Sequence, residues 1–494
     1  MKFRTERLTR NAGSARNVLA AAVALAFGTL HFATTNAESR RADPPRSRQD
    51  TLTTLKERFG ASRGTAHGAL APNGGTYWPV TNCADSGEGS MRAAVESAVS
   101  GDTIEAIGLS CATVTLSSAI VVDVDDLTIE GAGAEALTVT NGAKYGRVFT
   151  HTGHGTLQLL GMTVSSGVVS PNSAEADSRG GCIFSEGAVA LGDIFESADA
   201  RHGVVVRDCT AVSTEADVRA LGGGIFATSG VGLTHSIVSG CRAVAQDDAS
   251  RADGGGVYLA GGGAFVMKYS EVRDNAAEGA VAISGGIDAP FASDMIVSHS
   301  TIAGNSAGNR AGGAYLGTEF GNDVYIDNTT ISGNVSDGES GLVVNVRSSN
   351  PYGTIHMSSV TLTANTSTNA EFAALIDGPL VLNASIISGN GGGDLFGVGD
   401  DAPEGADNVI GDNSSGMPSA GLLVSDDPKL APLASNGGFT RTHAERPDSP
   451  AIDAGNTAGG GSTDQRGFAR VVGARADIGA YERDPDVIFA SDFD

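Results

Sequence analysis

Glu271, Arg273 and Asp274 put two carboxylates and a guanidinium on one short stretch of alternating polar and apolar residues. Carboxylates beside a basic group on an outward strand face can protonate and deprotonate a glycosidic linkage, with or without calcium. The bland alternative is a solvated patch. A second group bears rings: His235, Tyr269 and His299, followed by Asn328 at the same place in the next repeat. Facing outward on successive strands, they would form a strip on which sugar rings could stack. Planar side chains also occupy outward strand positions without any ligand. A third group is acidic: Asp394, Asp400 and Asp401, with Glu404, Asp407 and Asp412. Its oxygens suit calcium, although the spacing matches no EF-hand, and a solvated loop is the competing reading. No other cofactor is expected.

These groups are positioned by a repeat. Six segments end at Cys241, Asn275, Asn305, Asn334, Asn365 and Asn390, with intervals of 34, 30, 29, 31 and 25 residues. Three positions before each end stand Val238, Val272, Ile302, Ile331, Leu362 and Ile387. Eight before stand Leu233, Met267, Val297, Ile326, Met357 and Leu382. Ten before stand Val231, Phe265, Met295, Val324, Ile355 and Leu380. Recurrence of core columns with drift between them signals a solenoid. Spacings of two are strand periodicity, and the parity break between the inner pairs of columns implies a bend. A third segment upstream is Gly-rich, as in Gly222-Gly223-Gly224-Ile225-Phe226 and Gly254-Gly255-Gly256-Val257-Tyr258. The expected fold is therefore all-β: a parallel β-helix with three short strands per coil, capped at both ends. Gly and Asn suit its corners, and stacked Asn side chains can hydrogen-bond as a ladder. Phe184, Phe226 and Tyr258 share one position and form either a second strip or a cover for loops.

The repeat also weighs on chemistry. Four before the end, the column reads Ile237, Glu271, Thr301, Thr330, Thr361 and Ile386, with a single acid. An enzyme of this architecture would be a polysaccharide lyase or glycoside hydrolase, and the lack of stacked acids argues against one. The Gly triplets are not phosphate loops, because no Lys-Ser/Thr follows them.

Basic residues Lys2, Arg4, Arg7, Arg10 and Arg16 precede an apolar run from Val18 to Leu30. Such a leader reads as an export signal, with cleavage expected after Ala37. Without it the chain carries 32 − 5 = 27 basic and 57 − 1 = 56 acidic residues, a net charge of −29 with His neutral. That surface repels nucleic acid and anionic membrane. No transmembrane span is expected in the mature chain. With five Cys in an oxidising compartment, Cys83–Cys111 is the first expected disulfide. Cys209–Cys241, in one turn column of adjacent coils, is the second, leaving Cys182 over.

The organisation expected is a signal peptide (1–37), a linker (38–75), an N-terminal cap (76–126), coils (127–390), an acidic Gly-rich loop (391–412), a closing segment (413–482) and a tail (483–494). A short helix is expected at Met91–Ser97, and insertions near 165–202 and 243–252 are expected to project as loops.

Two stretches carry a family resemblance. Cys83-Ala84-Asp85-Ser86-Gly87-Glu88-Gly89-Ser90-Met91-Arg92-Ala93-Ala94 resembles the "CSLREA" segment of bacterial surface β-helix proteins, departing from it at Gly89 and Ala93. Asn436-Gly437-Gly438, Thr440-Arg441-Thr442-His443, Ser449-Pro450-Ala451-Ile452-Asp453-Ala454-Gly455, Asp464-Gln465-Arg466-Gly467 and Ala476-Asp477-Ile478-Gly479-Ala480-Tyr481-Glu482 occur in order. This series is similar to the "choice-of-anchor Q" domain of right-handed β-helix proteins. The resemblance implies a pectin-lyase-like fold on an exported, surface-associated protein of a Gram-negative-type bacterium, and no settled activity. The expected role is non-enzymatic: a long face for adhesion, meeting an extracellular polysaccharide or a cell-surface ligand. A passive spacer is the third reading.

Overall fold

The structure is a computed structural model. It describes residues 75–169, 177–193, 200–318, 321–346, 353–369, 371–398, 402–413, 416–456 and 461–485. The leader, the linker to residue 74, Asp400, Asp401 and the tail from residue 486 lie outside the described residues. The described chain is almost all strand, with one α-helix, α1 (Met91–Ser97), and one short 3-10 turn. Every strand ladder among the described residues is parallel, consistent with a β-helix-like stack of coils. No described helix is long and apolar enough to cross a membrane.

The apolar columns stack in register. Val231, Phe265, Met295, Val324, Ile355 and Leu380 pair in succession, as do Leu233, Met267, Val297, Ile326, Met357 and Leu382. Val238, Val272, Ile302, Ile331, Leu362 and Ile387 form the third column and run on to Ile410. Nearly all are sealed from solvent in one continuous core. Each large aliphatic side chain so buried contributes about 1.5–3 kcal/mol.

The parity break is a left-handed residue. His235, Tyr269, His299, Asn328, Ser359 and Ala384 all have φ between 45° and 54°. Non-Gly side chains are strained there, so each bend needs local compensation. At every bend but the one at Ser359, where Val360 follows, the hydroxyl of the next residue supplies it. Ser270 Oγ accepts the Ser236 N–H at 3.1 Å and donates to the Lys268 carbonyl at 2.8 Å. Ser300 Oγ repeats both bonds for the coil below, at 3.2 and 2.7 Å. A hydroxyl, at once donor and acceptor, satisfies two backbone groups the bend would otherwise orphan.

The Asn column is a ladder. Asn275 Nδ2 donates to Asn305 Oδ1 at 3.0 Å, Asn305 Nδ2 to Asn334 Oδ1 at 3.0 Å, and Asn334 Nδ2 to Asn365 Oδ1 at 2.9 Å. Each also donates to a carbonyl of the preceding coil, as Asn305 does to Val272 at 2.9 Å. The left-handed corner belongs to the residue before it: Gly240, Asp274, Gly304, Gly333, Ala364 and Gly389. The ladder starts where Asn275 Oδ1 accepts the Cys241 N–H and ends where Asn390 Nδ2 donates to Asp394 Oδ1 at 2.8 Å. Opposite it run the glycines. A Cβ on Gly286 would lie 2.4 Å from the Gly313 carbonyl oxygen and 3.0 Å from the Asn305 amide. Two backbones and a buried amide share that space, so no side chain fits.

Four expectations change. Parallel pairing begins well before residue 127, at Tyr77–Pro79 against Asp102–Ala106. The 165–202 and 243–252 regions are not simply projecting loops: Ile183–Ser185 and Ala188–Leu191 are coil strands, and Arg242–Ala245 and Arg251–Asp253 lie in two smaller sheets. Their interior is packed by Ala211, Ala243, Ala277 and Ala307, and alanine gives little contrast in a hydrophobic pattern. The disulfides join Cys83 to Cys111 and Cys182 to Cys209, and Cys241 is free and buried. The expected Cys209–Cys241 bridge fails because side chains in one column project in parallel. Cys182 instead occupies the glycine position facing the turn column across its own coil, with Cα atoms 5.4 Å apart.

The fourth concerns the closing segment. It contributes Leu423–Val424 to the sheet beside Val409–Ile410, then turns back along the stack. Gly479 N–H donates to the Ala384 carbonyl and Ala480 N–H to Thr361 Oγ1, while Phe439 reaches His235. Between Ala384 and His235 lie five strand spacings, roughly 24 Å. The segment is therefore a strap along the side of the coils as well as an end piece.

Candidate functional site

The strap decides what the predicted site residues can do. Glu271 stands on the strand Glu271–Arg273 with its outward carboxylate only 4% exposed. Oε1 accepts the Arg441 N–H at 2.7 Å, and Oε2 lies 3.2 Å from both Arg441 Nε and Arg273 Nε. Both oxygens are committed to cations and an amide, so this carboxylate anchors the strap. Arg273 also pairs at 2.8 Å with Asp274, whose own backbone forms the left-handed corner. The three residues do come together, but in a clamp that seals the Glu271 carboxylate and leaves only Asp274 and part of Arg273 at the surface.

The anchor continues along the column. Thr301 Oγ1 donates to the Arg441 carbonyl at 2.6 Å, and Thr330 Oγ1 to Gln465 Oε1 at 2.6 Å. Gln465 Nε2 donates to Thr301 Oγ1, Thr440 Oγ1 and the Arg441 carbonyl at 2.9–3.0 Å. His443 bonds through Nδ1 to the Ala431 carbonyl and through Nε2 to Ser332 Oγ, both at 2.7 Å. Burial lowers its pKa, and the neutral ring fits both bonds: Nδ1–H donates and Nε2 accepts. Within the strap, Arg466 pairs with Asp464 and lies 3.7 Å from the Tyr481 ring centroid. The side chains of the conspicuous C-terminal motif thus hold the strap together and seat it.

The ring strip exists. His235 and Tyr269 stack at 5.1 Å with planes 4° apart, and Tyr269 meets His299 at 4.7 Å, tilted by 37°. Tyr269 and His299 are half-buried, and burial, then the Asp327 charge, raises the Tyr269 pKa. The Phe439 edge covers His235, leaving it 9% exposed, and Thr440 Oγ1 donates to the His299 carbonyl. Asn328 does not extend the strip, since it is fully buried. The structure ends the usable surface at His299.

Asp394 is 6% exposed, and beyond its bond to Asn390 it accepts the Asp412 N–H at 3.1 Å. It terminates the ladder, and desolvation raises its pKa. Among the described residues no group of three or more His, Cys, Asp or Glu could hold a metal ion.

One group noted in the sequence forms a stack, and the acids beside it escaped the sequence reading. Phe184, Phe226 and Tyr258 stack at 5.5 and 5.7 Å, with the Arg179 guanidinium 5.5 Å from the first two rings. Beside Tyr258 in register comes Asp288, enclosed, its pKa raised to about 8 by burial and by Asp253. Asp253 is likewise buried and pairs with Arg251 at 2.6 Å. A single acid in an aromatic column was the available signal, legible only once Asp288 is aligned with Tyr258 and Tyr315.

Fold and site together define an all-β, solenoid-like protein with a side-mounted C-terminal strap. Comparison of the chain with protein-family models, curated proteins and solved structures gives no match, so the family resemblance rests on the flanking motifs themselves.

Proposed function

We propose that this is an exported, surface-associated protein that binds an extracellular glycan or cell-surface ligand without turning it over, its coils forming a right-handed, three-stranded β-helix. The observation that carries the reading is the half-buried Tyr269–His299 pair, which stays partly open while Phe439 covers His235 at the other end of the strip. The rings stack on one another, so a glycan running along the coils would meet their outward edges and polar atoms at a spacing set by the coil repeat. Catalysis is disfavoured by the commitment of Glu271 to Arg441 and Arg273. The acidic surface points to neutral rather than polyanionic glycans.

The test is retention of residues 38–494 on a polysaccharide panel, with product release followed in parallel. Tyr269→Ala with His299→Ala should abolish retention while far-UV circular dichroism stays unchanged. Undiminished retention would remove the strip from the binding surface. New reducing ends or unsaturated products would overturn the non-enzymatic reading.

A further inference from the structure

A groove of about 570 Å³ opens at the corner where each coil enters the strand that carries the ring strip. Its volume lies in the range of small-ligand sites. The lining comes from successive coils: Asp126, His154, Ala188, then Thr228 and Ser229, then Gly261–Gly263. It therefore runs along the stack, across four strand spacings of roughly 4.8 Å each. The floor is bare backbone. A Cβ on Gly261 would lie 2.2 Å from the Thr228 carbonyl oxygen, and one on Gly263 1.6 Å from that of Ser229. The rim is polar and solvent-facing: Asp126, His154, Thr228 and Ser229 are all exposed. Asp126 Oδ1 accepts the Thr156 N–H at 2.8 Å, which fixes the carboxylate at the rim of the groove.

We propose that this groove is a second binding site, taking a linear oligosaccharide that is uncharged or bears amines. An elongated trough lined by hydroxyls, backbone carbonyls and one oriented carboxylate offers acceptors and small donors. A polyhydroxylated chain uses both, whereas an apolar ligand would find no large apolar side chain among the described lining residues. Asp126 and the overall acidity select against uronic acids. The proposal shares its ligand class with the function proposed above but none of its residues. Ala264 and Tyr269 are separated by five residues of strand, roughly 17 Å.

The experiment titrates residues 38–494 with cello-, chitosan- and galacturonate hexamers by calorimetry. The first two should bind and the acidic one should not. Ser229→Trp, which fills the trough, should weaken both by at least about tenfold. Asp126→Asn keeps an acceptor for Thr156 and should weaken only the chitosan hexamer. In a Tyr269→Ala background, which removes the ring strip's contribution, Ser229→Trp should still cost the same fold-change. Absence of binding by the neutral and amine-bearing hexamers, or wild-type affinity in a folded Ser229→Trp protein, would overturn the groove. Loss in Tyr269→Ala alone would assign binding to the ring strip instead.

Discussion

The Glu271 carboxylate accepts the backbone N–H of Arg441 at 2.7 Å, joining positions 170 residues apart. One contact thus changes the meaning of the most reactive-looking residue on the strand face. A lone acid in a column of hydroxyls and aliphatics is where the returning chain is gripped.

Arg441→Ala should therefore loosen the strap. It leaves the Glu271 carboxylate buried with only Arg273 as a charged partner, at a cost of about 1–3 kcal/mol. Limited proteolysis should cut first between residues 436 and 482, ahead of the coils. An unchanged cleavage pattern and melting temperature would mean that the clamp does not hold the strap.

Asn305 is the middle of the ladder, and Asn305→Ala should be among the most damaging single changes in the coils. It leaves the buried Asn275 N–H without its Oδ1 acceptor and takes one donor each from the Val272 carbonyl and Asn334 Oδ1. Unmet buried polar groups cost about 1–3 kcal/mol each. Chemical denaturation should show a loss of several such units, whereas Asn390→Ala, nearer the ladder's end, should cost less.

Asp288 predicts a pH dependence. Its folded pKa, about 8, stands above the ordinary value of 3.8 because burial and Asp253 disfavour the charge. The protonated acid therefore favours the folded state: this contribution is complete below pH 3.8 and is lost as pH rises through about 8. Asp253 is shifted the same way, with burial the largest cause and Arg251 opposing it. Asp288→Asn should remove this contribution to the slope, so its stability advantage over wild type grows from acid to pH 8. Parallel stability curves for the two proteins would show that Asp288 ionises without cost.

The thiol pattern is testable by peptide mapping without reduction. The expected cross-linked pairs are Cys83–Cys111 and Cys182–Cys209. Cys241, its thiol pushed up to about 12 by burial, should resist alkylation in the folded protein and react once it is unfolded. A Cys209–Cys241 peptide would contradict the across-coil geometry.

The repeat by itself determined the strands, their stacking register and the identity of the core columns. Val238 to Ile387, Leu233 to Leu382 and Val231 to Leu380 pair as their spacing required, because a side chain's face follows from its parity along the strand. It also marked Met91–Ser97 as a helix, and the Asn column as a place where an amide ladder could form. Tertiary structure decided what each column faces. His235, Tyr269 and Asn328 hold equivalent positions, yet one lies under Phe439, one is half-open and one is sealed. Cys209 and Cys241 share a column, yet Cys209 pairs across its own coil. Glu271 resembles a catalytic acid until Arg441 arrives from a distant part of the chain. Periodicity is a local property, carried by a few neighbouring bonds. Burial of an outward face depends on which remote segment packs against it, and no spacing within the repeat encodes that partner.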